Sequence, residues 1–209
     1  MKKLLILPIA ALAFGFTYFQ QAKTITPIAI GTAMPNADTK LYDVMSGNSV
    51  SINDKKGTMG TLVIFSCNTC PFVLANQSRI NEIQAEAVKM KIGVVILNSN
   101  EAKRGDDDSK DAMKAYGTKN NFSAPYLVDE NSVLADAFGA TRTPESFLFD
   151  KDNKLVYHGA IDDSPKDATT VKVKYLSDAM TALSTGKEIT TKNTVSSGCG
   201  IHRKQVAVN

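Results

Sequence analysis

Phe65-Ser66-Cys67-Asn68-Thr69-Cys70-Pro71 joins a strand-like segment to a helical one, and the other elements of the chain are best placed relative to it. It follows the apolar run 61–65 and precedes residues 71–91, which have helical periodicity. A Cys-x-x-Cys pair between a strand and a helix is typical of a redox site. Unpaired N–H groups at a helix N-terminus stabilise a thiolate. We therefore expect Cys67 to be exposed there with a lowered pKa, and Cys70 to be partly covered in the first turn.

A structural zinc site is the alternative explanation for the two cysteines, since this spacing supplies half of many such sites. The other ligands would have to come from elsewhere in the chain. Outside the motif, the sequence holds only Cys199, His158 and His202 as cysteine or histidine ligands. This shortage favours redox chemistry, and we predict no metal site.

The first 22 residues are typical of an export signal. Lys2-Lys3 precedes an uncharged apolar run at 4–19, which is interrupted by Pro8 and Gly15. Such interruptions suit a signal peptide better than a stable spanning helix, although a poor cleavage site leaves a membrane tether through 4–19 open. Either interpretation predicts an extracytoplasmic protein, periplasmic or secreted.

Charge and length restrict the other classes of function. The 209-residue chain carries 24 Lys and Arg against 21 Asp and Glu, and loss of Lys2 and Lys3 with the leader would leave a net charge of +1. That balance gives no basic surface for nucleic acid, and we predict no nucleic-acid partner. The length suits one globular domain, which we place at 23–186, followed by a C-terminal tail at 187–209.

Hydrophobic patterns alternate between strands and helices along that domain. Strands are predicted at 40–44, 49–52, 61–66, 91–97, 124–128, 146–149 and 154–158, and helices at 71–91, 107–119, 131–138 and 168–185. The first two strands form a hairpin across Ser46-Gly47-Asn48. The apolar stripe of the first helix is predicted to consist of Leu74, Ile80, Ile83, Ala87 and Val88. The acidic run 106–108 is predicted to be a solvated helix start rather than a calcium loop.

The order of elements, the Cys-Asn-Thr-Cys-Pro sequence at 67–71 and Thr143-Pro144 before a strand resemble the thioredoxin-like fold in its redoxin form, over about residues 32–186. The resemblance implies an α/β fold with a central mixed β-sheet flanked by helices, extended by an N-terminal β-hairpin. In this superfamily the proline is cis and lies against the disulfide, and the backbone before it pairs with substrate. The implied catalytic residues are Cys67, Cys70, Thr143 and Pro144.

A closer likeness is to peroxiredoxin-like proteins of the thioredoxin family, through residues 67–72, 157–163 and Gly-Cys-Gly-Ile at 198–201. Two departures from related families matter. Residues 62–66, just before Cys67, contain no proline, and Ser66 is adjacent to the cysteine rather than one turn earlier, which counts against peroxidase activity. Thioredoxin carries a buried acid in the strand before its motif, whereas strand 61–66 here has none, so Glu145 is the candidate accessory base.

The resemblance implies an exported thiol–disulfide oxidoreductase acting on protein thiols or disulfides, or with a membrane or soluble thiol reductant. Cys67 would attack a substrate disulfide and Cys70 would resolve the mixed disulfide. The Cys67–Cys70 disulfide would then be the redox group, with no organic cofactor. The alternatives are an antioxidant thiol peroxidase of peroxiredoxin type and a copper-handling binding protein, in which His158 or His202 would add a ligand.

Cys199 is left over from the motif and lies between Gly198 and Gly200. It is either a free thiol on a loose tail or a third thiol on a segment that folds back over the domain. In the second case we expect it to exchange with Cys67 as a resolving or regulatory thiol.

Overall fold

The computed structural model describes residues 25–204. The predicted leader at 1–22 lies outside these residues, as does the end of the tail. Within residues 25–204, no helix is both long enough and apolar enough to span a bilayer.

Nine strands and four helices make up the regular structure of residues 25–204. The strands are β1 (Leu41–Asp43), β2 (Ser49–Val50), β3 (Gly60–Ser66), β4 (Ile92–Asn98), β5 (Tyr126–Val128), β6 (Arg142–Thr143), β7 (Glu145–Asp150), β8 (Leu155–Gly159) and β9 (Cys199–Gly200). The helices are α1 (Pro71–Lys89), α2 (Lys110–Lys119), α3 (Val133–Phe138) and α4 (Tyr175–Ser184).

Seven strands form one mixed sheet in the order β2-β1-β5-β4-β3-β7-β8, with β3 parallel to β4 and antiparallel to β7. Alternate residues of β3 point to opposite faces. Leu62 and Ile64 enter the core that contains the apolar residues of α1 and α4, while Val63 and Phe65 enter the core that contains those of α3. The predicted fold is therefore confirmed, with helices on both faces and the β1–β2 hairpin at the N-terminal side.

Two helices begin three or more residues later than predicted, for local reasons. The Ser109 hydroxyl accepts a hydrogen bond from the Ala112 N–H, so Ser109 caps α2 and the helix begins at Lys110. The last helix begins at Tyr175 rather than 168, because the Asp163 carboxylate takes the backbone N–H groups of Lys172 and Val173. Residues 168–170 form only a short 3₁₀ turn.

The predicted stripe of α1 is wrong at two of its positions. Leu74 and Val88 are 53% and 69% exposed, whereas Arg79 and Gln84 are buried. Both polar side chains have partners: Arg79 forms a salt bridge with Asp162, and the Gln84 side-chain oxygen accepts N–H groups from the loop before β5. Polar loops therefore cover α1 at Arg79 and Gln84, two positions outside the predicted apolar stripe.

The tail folds back over the domain rather than hanging loose. Its strand β9 pairs antiparallel with β6, joining Thr143 to Cys199 and Arg142 to Gly200. Two apolar side chains of this segment, Ile189 and Ile201, are buried. The segment that holds Cys199 thus folds back over the domain, as the second interpretation expected, and it lies beside the cysteine motif.

Gly139, the residue after α3, allows a test of how much its close contact with Thr26 contributes to stability. It adopts a left-handed conformation (φ +69°), and a Cβ there would overlap the carbonyl oxygen of Thr26. Gly139→Ala should lower the free energy of unfolding by more than the roughly 1–2 kcal/mol of the left-handed backbone alone. Gly186, after α4, has the same conformation (φ +68°) with nothing near its Cβ position, so Gly186→Ala is the matched control. Equal losses in chemical denaturation would contradict the role of the Thr26 contact.

Candidate active site

The motif lies where the central strand ends and the first helix begins. Cys67 follows β3 directly, and Cys70 is the extended residue before Pro71, which opens α1. Proline is suited to that first position, because its missing N–H would have no partner within the helix. Cys70 therefore lies just outside the first turn rather than inside it.

Both cysteines of the motif contact Thr143, which lies in β6. Its hydroxyl lies 3.2 Å from Cys67 Sγ, and its carbonyl oxygen lies 3.3 Å from Cys70 Sγ. The Thr143–Pro144 peptide bond is cis, as predicted. Of the four predicted catalytic residues, the structure thus places both cysteines against the residue that precedes the cis proline.

The disulfide in the structure joins Cys70 to Cys199, with a Cα–Cα distance of 6.0 Å, and Cys67 is a free thiol. The predicted Cys67–Cys70 pairing is therefore not the one present, and the predicted exchange of Cys199 with Cys67 stays a prediction. The pairing of β9 with β6 explains the difference. It places Cys199 opposite Thr143, whose carbonyl oxygen already contacts Cys70.

Cys67 is buried rather than exposed, with 2% of its surface accessible. Burial raises the pKa of its thiol, because a thiolate loses its hydration there. The Thr143 hydroxyl acts in the opposite direction by hydrogen bonding, and the negative charge of Asp108 adds to the increase. The predicted lowering of the Cys67 pKa at the helix N-terminus is thus wrong for this state of the protein.

Asp108 is a site residue that the sequence analysis missed. It is fully buried, and its carboxylate accepts hydrogen bonds from the Asn68 backbone N–H (3.0 Å) and from the side-chain amides of Asn98 (2.7 Å) and Asn100 (2.9 Å). The Tyr126 hydroxyl, also buried, donates to the Asn68 side chain. Asp108 was predicted to be solvated, but it holds the middle of the cysteine motif. The polar residues at the end of a buried β4 were the available signal.

Glu145, the candidate base, is also buried, and both oxygens of its carboxylate have hydrogen-bond partners. One oxygen lies 2.7 Å from His158 Nε2, and the other accepts the backbone N–H groups of Thr141 and Arg142. The side chain therefore fixes the backbone that leads into the cis proline. Its predicted role as accessory base stays a prediction.

A pocket of about 210 Å³ lies beside the three sulfurs, with Lys103, Asn100 and His202 also in its wall. His158, the other proposed copper ligand, is engaged with Glu145 instead. Across residues 25–204, no three His, Cys, Asp or Glu side chains are grouped so that they could hold a metal ion. The copper-handling alternative thus gains no support from this part of the chain.

Thr143 can be tested as a determinant of Cys67 acidity. Thr143→Val removes the hydroxyl that favours the thiolate, so it should raise the pKa of Cys67 further and slow its alkylation near pH 8. Thr143→Ser keeps a hydroxyl and should restore most of the reactivity. The measurement is the pH dependence of Cys67 labelling by iodoacetamide. Unchanged labelling of the valine variant would show that the contact has no effect.

Comparison with known proteins shows the family to which this chain belongs. The Redoxin family model matches residues 29–176, which is most of the chain. The chain belongs to the Redoxin family. The thiol–disulfide oxidoreductase ResA of Bacillus thuringiensis subsp. konkukian (strain 97-27) is 26% identical over 155 residues, covering 74% of this chain and 83% of that protein. The family and such relatives identify the chain as an oxidoreductase.

Two solved structures are similar to this chain over most of its length. An uncharacterized conserved protein from Geobacillus kaustophilus matches with a TM-score of 0.79 and 33% identity, covering 86% of this chain and 94% of that one. A secreted disulfide oxidoreductase of Mycobacterium tuberculosis matches with a TM-score of 0.52 and 15% identity over 70% of this chain and 96% of its own. The second likeness concerns the thioredoxin-like fold alone.

Proposed function

We propose that the protein is an exported thiol–disulfide oxidoreductase that exchanges disulfides with protein thiols through Cys67 and Cys70. The observation that carries the proposal is the meeting of a disulfide and a free thiol on one residue, Thr143. Thiol–disulfide exchange requires such an arrangement, in which a thiolate can approach one sulfur of a disulfide while the other leaves. Cys70 is bonded to Cys199, and it shares its contact with Thr143 with the free thiol Cys67.

Export is supported by the leader-like sequence at 1–22 and by the long-range disulfide. Disulfides persist in oxidising compartments and are rare in a reducing cytosol. The Mycobacterium tuberculosis neighbour is described as secreted. Fractionation of cells followed by N-terminal sequencing is the test. An intact cytosolic protein that begins at Met1 would contradict export.

The activity is tested by turnover of a protein disulfide, such as that of insulin, with the protein reduced by dithiothreitol. A midpoint potential of the site, measured against glutathione, would give the preferred direction of electron flow. A parallel assay with hydrogen peroxide separates the oxidoreductase from the peroxidase alternative. Peroxide consumption without disulfide turnover would reject the proposal.

A further inference from the structure

We propose that Cys199 is the thiol through which this site exchanges disulfides with external thiols, and that Cys70 passes the disulfide between Cys199 and the interior thiol Cys67. The inference rests on the proposed oxidoreductase function and names the sulfur that meets the substrate. It assigns Cys199 a catalytic role in place of the structural role that a long-range disulfide usually has.

Access to the three sulfurs carries the first part of the argument. Cys67 and Cys70 have only 2% and 4% of their surfaces accessible, whereas Cys199 is only partly buried. A nucleophile must approach the sulfur it attacks, so exchange rates depend on which sulfur is accessible. In this state an incoming thiolate reaches the disulfide most readily at Cys199.

The second part is the way the chain holds Cys199 in place. We call residues 198–203 the C-terminal strap. Beyond Cys199, the Ile201 N–H donates to Thr141, and the His202 N–H donates to the Asn100 side chain at 2.9 Å. The Arg203 guanidinium pairs with Asp136. These contacts do not involve the disulfide, so they keep Cys199 beside Cys70 after the S–S bond has opened.

The strap also occupies the strand edge beside the cis proline. Its residues Cys199 and Gly200 pair with Thr143 and Arg142, which is the edge where the family resemblance places the substrate backbone. An external peptide therefore cannot pair with β6 while the strap is docked. An approach to Cys199 from the solvent side remains open, past the pocket lined by Lys103 and His202.

The chemistry balances without any added oxidant. An external thiolate attacks Cys199 Sγ, the bond to Cys70 breaks, and Cys70 leaves as the thiolate. A second thiol of the same substrate, as thiolate, attacks the external sulfur of the mixed disulfide, which forms the substrate disulfide and releases Cys199. The substrate dithiol is oxidised, the protein disulfide is reduced, and the protons of the substrate thiols pass to Cys70 and Cys199.

An internal exchange connects Cys67 to this reaction. The Cys67 thiolate attacks Cys70 Sγ, a Cys67–Cys70 bond replaces the Cys70–Cys199 bond, and Cys199 leaves as a thiolate that takes up the proton given up by Cys67. No electrons enter or leave. The contacts of both motif sulfurs with Thr143 place them in position for this step. All steps are reversible, so the same route run backwards reduces an external disulfide.

Two glycines beside Cys199 give a matched test of strap docking. A Cβ at Gly198 would overlap the Thr143 carbonyl oxygen, whereas a Cβ at Gly200 would meet nothing within 4 Å. After air oxidation, Gly198→Ala should shift the disulfide to Cys67–Cys70 and leave Cys199 open to alkylation. Gly200→Ala should retain Cys70–Cys199. Peptide mapping by mass spectrometry reads the pairing, and identical pairing in both variants would overturn the docking argument.

The decisive experiment traps the first covalent step. Reduced Cys70→Ser protein, which keeps Cys67 and Cys199 as thiols, is treated briefly with oxidised glutathione and mapped. We expect the glutathione adduct on Cys199 at least ~10-fold faster than on Cys67, because Cys199 is the more exposed of the two cysteines. An adduct mainly on Cys67, or a Cys67–Cys199 bridge, would overturn the proposal.

Turnover separates this inference from the proposed function. With insulin as substrate, Cys199→Ser should lose most of the wild-type rate, while circular dichroism reports whether the variant is folded. A folded Cys199→Ser protein as active as the wild type would overturn the role of Cys199 and leave the oxidoreductase function intact. An inactive wild-type protein would instead reject the proposed function itself.

Discussion

Replacing Cys70 with serine should reduce disulfide turnover to the uncatalysed rate. Cys70 is the sulfur common to the observed Cys70–Cys199 disulfide and to the alternative Cys67–Cys70 disulfide. Without it, a mixed disulfide on either remaining cysteine has no adjacent thiol to resolve it. The measurement is insulin reduction by dithiothreitol, with wild-type protein at equal concentration.

Cys67→Ser is the matched control for that experiment. It keeps the Cys70–Cys199 pair, and it removes only the buried thiol. We expect it to retain part of the turnover and to retain the disulfide after oxidation. If Cys70→Ser were as active as Cys67→Ser, Cys70 would not be the shared sulfur.

The second large effect is expected at Asp108. Asp108→Ala would leave the Asn68 backbone N–H and the amides of Asn98 and Asn100 without their acceptor, in a fully buried position. Each unpaired buried donor costs on the order of 1–3 kcal/mol, so the loss of unfolding free energy should reach about 3 kcal/mol or more. Urea denaturation of the oxidised protein measures it.

Asp108→Asn removes the negative charge of this side chain but keeps its size, so it tests the effect of the charge alone. The negative charge of Asp108 raises the pKa of Cys67, so its removal should lower that pKa and increase the rate of Cys67 alkylation at neutral pH. Asp106→Asn removes the same charge from an exposed side chain in the same acidic run, and should change neither stability nor labelling appreciably. Faster labelling in both variants would indicate a general charge effect instead.

The order of strands and helices could be predicted because each element carries its own local pattern. The apolar run of β3, the proline at the start of α1 and Gly139 after α3 mark their elements in the sequence itself. The cis proline was predictable for a different reason, since it follows from the family resemblance. Elements that depend on distant partners were the ones misjudged.

Arg79 and Asp108 illustrate that limit. Arg79 is charged and lies outside the predicted apolar stripe of α1, yet a carboxylate 83 residues away makes its burial possible. Asp108 belongs to a run of three similar acids, and nothing local distinguishes it from its exposed neighbours. Both burials depend on hydrogen-bond partners that only the folded chain brings together.

The choice of disulfide partner is a further example. Sequence proximity favoured Cys67 and Cys70, which are separated by two residues, over a cysteine at the far end of the chain. The pairing of two-residue strands β6 and β9 reverses that preference, because it places Cys199 opposite Thr143. Such short strands have no periodicity that a sequence pattern could reveal.

The Cys70–Cys199 bond also determines how the protein would respond to a pulling force. The bond closes a covalent ring across a sequence separation of 129 residues, which includes every helix described above. Tension applied at the two ends of the chain would pass from Cys70 to Cys199 through the bond, and the ring would carry no load. Reduction would release about 430–460 Å of hidden contour length at roughly 3.3–3.6 Å per residue. The redox state of one bond would thus decide how far a single molecule can be extended.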